Sequence, residues 1–119
     1  MSLRRSYLLL TLALASLGAG CGDTLDDRPA TREYIVAAIL APACGNGGGH
    51  SSATAAEGFA FDTLEAANKA LTKLVDPGNR NSELLTVLRT DGESRMPLDG
   101  PLPDDDIALI EKWILGGAQ

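Results

Sequence analysis

The sequence predicts a small, mostly α-helical domain, a bundle of about four short helices joined by long loops. Four segments place apolar residues at the three- and four-residue spacing of a helix face. Capping and helix-breaking residues bound these segments, and no long stretch alternates apolar and polar residues as a strand does. The chain has 119 residues and a net charge of -6. Its size fits one domain, and its acidity argues against nucleic acid as a partner.

The first helix is predicted from about Thr31 to Leu40. Thr31 is a suitable N-cap, and Pro42 is expected to end the helix because proline lacks the N–H that a helix interior needs. The predicted apolar face consists of Tyr34, Ile35, Ala38 and Ile39. A glycine-rich loop then runs from Cys44 to His50, and one helical turn could form within residues 51–58.

The second helix follows a short extended segment, Phe59-Ala60-Phe61. Asp62 is predicted to cap it, and Glu65 three residues later completes a capping-box pattern. The expected apolar face is Leu64, Ala67, Leu71 and Leu74.

A Pro-Gly turn at residues 75–78 separates the second helix from a third, which Asn81 or Ser82 caps. Its apolar residues are Leu84, Leu85, Val87 and Leu88. Residues 91–103 form a polar loop that contains Met96.

The last helix is predicted from Pro103 or Asp104 to Leu115. Three aspartates, at positions 104–106, suit the positive end of its dipole, and Gly116-Gly117 ends it. The inward-facing residues are Ile107, Ile110, Trp113 and Ile114.

The N-terminus is predicted to be an export signal rather than part of the fold. Arg4 and Arg5 precede an apolar run that is too short to span a bilayer, and small residues follow it before Cys21. This order resembles a bacterial lipoprotein signal peptide, which implies a lipid-anchored protein of the cell envelope, in the periplasm or at the outer membrane. We therefore divide the chain into a signal peptide (1–20), a tether beginning at a lipidated Cys21 (21–30) and a domain (31–119). An ordinary cleaved signal that leaves Cys21 as a free thiol is the alternative.

Three residues carry most of the chemistry of the predicted domain. Cys44 and His50, the chain's only histidine, bound the glycine-rich loop, and Met96 lies in a polar loop with no evident core to fill. A cysteine, a histidine and a methionine are the attachment and ligand residues of a c-type haem. Taken singly, each has an ordinary interpretation: a small buried residue, a surface histidine and a core methionine.

The order of these motifs resembles class I cytochrome c, in the form found in secreted bacterial lipoproteins. Residues 35–44 match a helix that ends in Pro-x-Cys, and residues 44–50 match a Cys-x4-Cys-His haem motif except that Gly49 replaces the second cysteine. A Val-x-Pro-Gly turn at 75–78, Ser82-Glu83-Leu84, Met96-Pro97 and Trp113-Ile114-x-x-Gly-Ala follow in the family's order. The resemblance covers residues 34–118.

The resemblance implies a monohaem electron carrier that acts outside the cytoplasm and is not an enzyme. Cys44 would form a thioether to haem c, His50 would be the proximal iron ligand and Met96 the distal one, with an unidentified redox protein as partner. Phe59, Phe61 and Trp113 would pack near the haem or beneath it.

Two alternatives remain open. Because Gly49 removes one of the two attachment cysteines, the domain could be a haem-free lipoprotein that keeps the fold as a structural or interaction module. Copper also suits cysteine, histidine and methionine ligands, although the common blue-copper set needs a second histidine.

Overall fold

The computed structural model describes residues 26–46 and 49–119. The predicted signal peptide, Cys21 and the first part of the tether lie outside the described residues. The described chain is mostly helical and contains no strand, which confirms the predicted fold class. Helix α1 joins three segments, Arg32–Ile35, Val36–Leu40 and Ala41–Cys44; the others are α2 (Leu64–Leu74), α3 (Glu83–Arg89) and α4 (Asp104–Leu115), with 3-10 turns at Ala56–Gly58 and Gly92–Ser94.

Helix α1 continues past Pro42, so the prediction that this proline ends it is wrong. The segment Val36–Leu40 widens into a π-helix, in which the Ala41 N–H donates to the carbonyl of Val36. This wider turn relieves the contact between a proline ring and the carbonyl four residues earlier, and the helix resumes until Cys44. Thr31 caps the helix as predicted, since its hydroxyl accepts from the Tyr34 N–H.

The buried face of α1 also differs from the prediction. Ala38 is exposed and Tyr34 is only partly buried. The core residues of this helix are Ile35, Val36, Ile39 and Leu40.

Helix α2 is capped by Thr63 and not by Asp62. The Thr63 hydroxyl accepts from the Ala66 N–H at 3.1 Å. The Asp62 carboxylate instead accepts from the backbone N–H and the hydroxyl of Ser52, at 2.9 and 2.7 Å. Three of the four residues predicted to face the core, Ala67, Leu71 and Leu74, are buried together with Ala70, but the prediction for Leu64 is wrong, since it is 42% exposed.

Helices α3 and α4 lie where the sequence predicts them. Ser82 precedes α3, where its hydroxyl accepts from the Asp76 N–H and lies within hydrogen-bonding distance of the carbonyl oxygens of Asp76 and Asn79. Ser82 therefore fastens the preceding turn rather than capping the helix with its side chain. All four residues predicted to face inward on α4 are buried, together with Leu109.

The core forms where α1 and α4 meet, with α2 and α3 packed beside them. Its largest fully buried side chains are Ile35, Leu40, Leu85, Leu109, Ile110 and Ile114. The C-terminal residues close this core, because the Trp113 indole donates to the Gln119 carbonyl at 2.8 Å and Arg32 donates to the Ala118 carbonyl.

The described end of the predicted tether, residues 26–30, contacts the domain. Arg28 pairs with Asp26 and also with Asp106 in the first turn of α4, and Ala30 packs against the core. None of the described helices is long and apolar enough to cross a membrane.

Candidate functional site

Two distant parts of the chain bring Cys44, His50 and Met96 together. Cys44 is the last residue of α1 and His50 lies in the loop that follows, whereas Met96 follows α3. All three line a cavity of about 330 Å³ and also an adjoining cavity of about 230 Å³. Among the described residues, only Glu57 also lines both cavities. These four residues therefore lie at the junction of the two cavities, and a ligand placed there would contact Cys44, His50 and Met96.

His50 is held in a defined tautomer. Its Nδ1 lies 3.3 Å from the carbonyl oxygen of Phe59. A carbonyl oxygen only accepts hydrogen bonds, so Nδ1 carries the proton and Nε2 of the neutral ring keeps its lone pair. Histidine ligands of metals are usually oriented by such a bond from the other ring nitrogen. The backbone of His50 is fixed on both sides, because its N–H donates to the Cys44 carbonyl and its carbonyl accepts from the Phe61 N–H.

Two phenylalanines flank the His50 ring. Phe61 meets it edge-on with the ring centroids 5.7 Å apart, and Phe59 lies at 6.5 Å. Both also line the smaller cavity, whose apolar wall is completed by Leu74, Leu84, Val87 and Leu88. Trp113, the third aromatic residue expected near a haem, borders neither cavity and belongs to the core instead.

Met96 is half-buried and anchored through its backbone. Its N–H donates to the carbonyl of Val87 in α3 at 2.9 Å. The side chain borders both cavities and is absent from the buried core cluster. This placement agrees with the expectation that Met96 has no core to fill.

The thiol of Cys44 is protonated at neutral pH. Burial, and secondarily the negative charge of Asp99, raises the pKa of this thiol to about 11. Cys44 forms no disulfide within the described part of the chain. A copper ion would bind Cys44 as the thiolate, with release of this proton to solvent. Among the described residues, no three His, Cys, Asp or Glu side chains group as metal ligands.

Gly49 borders the larger cavity and leaves room for a side chain. A Cβ atom there would lie 3.1 Å from the Cys44 carbonyl oxygen, and its next neighbour would be 3.6 Å away. Gly45, at the other end of the same loop, is different. A Cβ at Gly45 would lie 2.8 Å from both the Ala41 carbonyl oxygen and the Asp62 nitrogen. The loop therefore requires glycine at position 45 but not at position 49.

Hydrogen bonds within residues 49–62 make the loop between α1 and α2 compact. Asp62 binds Ser52, and the Thr54 hydroxyl donates to the Gly49 carbonyl at 2.6 Å. These contacts hold His50 against Phe59 and Phe61. Sequence reasoning assigned Asp62 to a helix cap, and nothing in its local sequence indicated a partner ten residues earlier.

Sequence reasoning also missed the carboxylates at the site. Glu57 lies at the junction of the cavities, in a turn where both Ala55 and Glu57 have positive φ angles, 41° and 54°. Glu83 lines the smaller cavity and Asp99 the larger one. Their position depends on the folded loops, which carry no periodic pattern.

A further cavity, of about 320 Å³, lies between α2 and residues 58–60. Its wall includes no cysteine, histidine or methionine. We therefore assign the candidate site to the two cavities that meet at Cys44, His50, Glu57 and Met96. Comparison of the chain with protein-family models, with curated proteins and with solved structures found no match.

Proposed function

We propose that this chain is a monohaem, c-type cytochrome-like lipoprotein that transfers electrons outside the cytoplasm, with a single thioether to its haem. One observation carries the proposal: Cys44, His50 and Met96, from two distant parts of the chain, line the same pair of cavities. The larger cavity, about 330 Å³, lies at the lower end of the range of about 300 to 1,000 Å³ that holds small ligands and cofactors, and the smaller cavity adjoins it. An apolar wall beside a few convergent ligand groups suits a flat, largely apolar macrocycle.

The His50 tautomer fits the role of an axial ligand. With Nδ1 donating to the Phe59 carbonyl, the ring has Nε2 as the nitrogen that would bind iron. Phe59 and Phe61 limit rotation of the ring. Met96 supplies a thioether sulfur from another segment, and a methionine ligand raises the reduction potential of a haem.

Cys44 fits the role of the covalent anchor. Its thiol borders both cavities and would hold the haem by adding its S–H across a vinyl double bond, an addition with no leaving group. A haem held here would supply one-electron chemistry between the ferrous and ferric states of its iron. The Phe59 carbonyl and the rings of Phe59 and Phe61 would keep His50 in place.

The alternative is a haem-free lipoprotein that uses the same fold as a structural or interaction module. One observation favours it: Gly49 provides no second attachment thiol. In this alternative, Cys44 and Met96 are simply the walls of a small cavity.

We also propose that a lipid on Cys21 anchors the protein at the cell envelope, with an unidentified redox protein as its partner. The support is the order of basic, apolar and small residues before Cys21. Palmitate labelling of the exported wild-type chain and of a Cys21→Ala variant tests the anchor. Label on both proteins, or on neither, would contradict it.

The haem proposal is tested by expression with a haem c maturation system, followed by absorption spectroscopy before and after extraction with acidified acetone. A Soret band that survives extraction indicates covalent haem, as proposed. A band lost on extraction indicates haem held by ligands alone, which contradicts the thioether. A folded, helical protein without any band supports the haem-free alternative.

Three variants separate the proposed roles. Cys44→Ala should keep haem that acetone extracts. His50→Ala should lose most of the haem, and Met96→Ala should keep it with an altered spectrum and a lower reduction potential. Leu98→Ala, which removes an exposed residue of the larger cavity's wall, is the control and should keep the wild-type spectrum.

A further inference from the structure

The two cavities of the candidate site open beside three carboxylates, Glu57, Glu83 and Asp99, which we call the acidic rim. All three side chains are exposed, and neither cavity wall contains a lysine or an arginine. None of the three forms an ion pair with a described residue. The rim therefore presents carboxylates that no described lysine or arginine pairs with, although the Lys73 ammonium lies 6.0 Å from the centre of the Phe59 ring in the wall of the smaller cavity.

Half of the basic residues in the described chain are paired with carboxylates away from this rim. Arg80 and Arg89 both contact Glu111 on α4, Lys69 pairs with Glu65, and Arg28 pairs with Asp26 and Asp106. The carboxylates at the mouth of the site are therefore free to pair with positive charges on another protein.

An exposed apolar residue lies on the same side of the site. Leu98 is 70% exposed, the highest value among the large hydrophobic residues of the described chain, and it lines the larger cavity with Asp99. A single exposed leucine needs no explanation by itself. Here it adjoins the acidic rim and follows the proposed ligand Met96 by two residues. An apolar centre with a charged periphery is the usual composition of a protein interface.

We propose that the acidic rim and Leu98 form a docking surface for a redox protein with a basic patch around its own electron-transfer centre. The inference rests on the proposed function, because electrons leave at this mouth only if the site holds haem. Opposite charges accelerate the encounter and orient the partner, while Leu98 supplies a contact from which water is excluded. A second copy of this acidic chain is repelled at the same surface.

Binding can be measured whether or not haem is present. The full chain, haem-free or haem-loaded, is immobilised, and a strongly basic cytochrome c is the probe in surface plasmon resonance. We expect binding to both forms at low salt. Binding should weaken steeply toward physiological ionic strength, where the Debye length falls from about 30 Å at 0.01 M to about 8 Å at 0.15 M.

Matched variants localise the interaction. One triple variant neutralises the rim: Glu57→Gln, Glu83→Gln and Asp99→Asn. The control triple removes three other exposed, unpaired carboxylates and changes the net charge equally: Glu33→Gln, Asp104→Asn and Asp105→Asn. The rim variant should weaken the Kd about tenfold and the control no more than about twofold. Leu98→Ala should weaken binding about threefold, whereas Leu115→Ala, at a leucine of 42% exposure on α4, should not.

Equal losses in the two triple variants would overturn the proposal, because only net charge would then matter. Failure of the probe to bind at low salt would overturn it too. These outcomes are independent of haem. If the chain never takes up haem but its binding of the probe depends on the rim, the electron-transfer function is refuted and the docking surface stands. If the chain takes up haem but its binding does not change in the rim variant, the docking surface is refuted and the proposed function stands.

Discussion

Replacing Gly49 with cysteine would complete the Cys-x4-Cys-His pattern that residues 44–50 resemble. The structure indicates how much stability this substitution should cost. Among the atoms of the described residues, the new Cβ would lie 3.1 Å from the Cys44 carbonyl oxygen and 3.6 Å from its next neighbour, the side-chain oxygen of Asn46. A movement of a few tenths of an ångström relieves that contact, so Gly49→Cys should lower the free energy of unfolding by about 1 kcal/mol, the low end for overpacking.

Gly45→Cys is the matched control within the same loop. Its Cβ would lie 2.8 to 2.9 Å from three backbone atoms, which belong to Ala41 and Asp62. Backbone atoms on two sides cannot move independently. This substitution should therefore cost about 3 kcal/mol or more. Urea unfolding of the haem-free proteins under reducing conditions measures both costs and prevents a disulfide between Cys44 and the new thiol.

The haem assay completes this test. After expression with a haem c maturation system, Gly49→Cys should carry haem through two thioethers, where the wild-type chain carries one. Mass spectrometry of the haem-bearing peptide counts the attachments. Equal destabilisation by Gly49→Cys and Gly45→Cys would refute the loop geometry. A stable Gly49→Cys protein with no thioether at either position would refute the attachment site.

Three other predictions concern stability. Ile110→Ala opens a cavity at a fully buried position and should lower the free energy of unfolding by about 2 to 5 kcal/mol. Leu64→Ala, at an exposed position, should change it by no more than about 0.5 kcal/mol. Urea unfolding measures both effects. Thr63→Ala removes the cap of α2 and should cost about 1 kcal/mol, with faster amide exchange in its first turn; an unchanged exchange rate would contradict the cap. Because burial raises the pKa of the Cys44 thiol from 9.0 to about 11, the unfolded chain loses this proton first. The unfolding free energy of the haem-free protein should therefore fall as pH rises between these values, and Cys44→Ser should lack the fall.

The elements that depend on local sequence were predictable. Thr31 caps α1, and the buried residues of α3 and α4 follow helical spacing closely. One error arose where a distant contact competes with a local preference. Asp62 is an acceptable N-cap by sequence, but Ser52 offers it two hydrogen bonds, and Thr63 takes over the cap.

The candidate site was predictable in its residue types but not in its surroundings. Cys44, His50 and Met96 were selected from the sequence, and the structure places them on the walls of the same cavities. Their roles toward haem remain proposals. The Phe59 carbonyl that orients His50 could not be foreseen, because backbone groups carry no sequence signal. The position of Glu57 at the site could not be predicted either, because it depends on a turn in which Ala55 and Glu57 have left-handed backbone conformations.

The π-helical segment of α1 has a consequence for the direction in which Cys44 faces. Successive residues of an α-helix are rotated by about 100° around its axis, and a π turn takes up one residue more than an α turn. The segment Val36–Leu40 thus changes the rotational phase of Ala41–Cys44 relative to Arg32–Ile35. With a regular helix throughout, the position of Cys44 would be turned by roughly a quarter of a circle from the face on which it borders the cavities. Deleting one residue of that segment would therefore let α1 become a regular helix with the Cys44 thiol on nearly the same face, whereas closing the π turn without a deletion would turn the thiol away from the cavities.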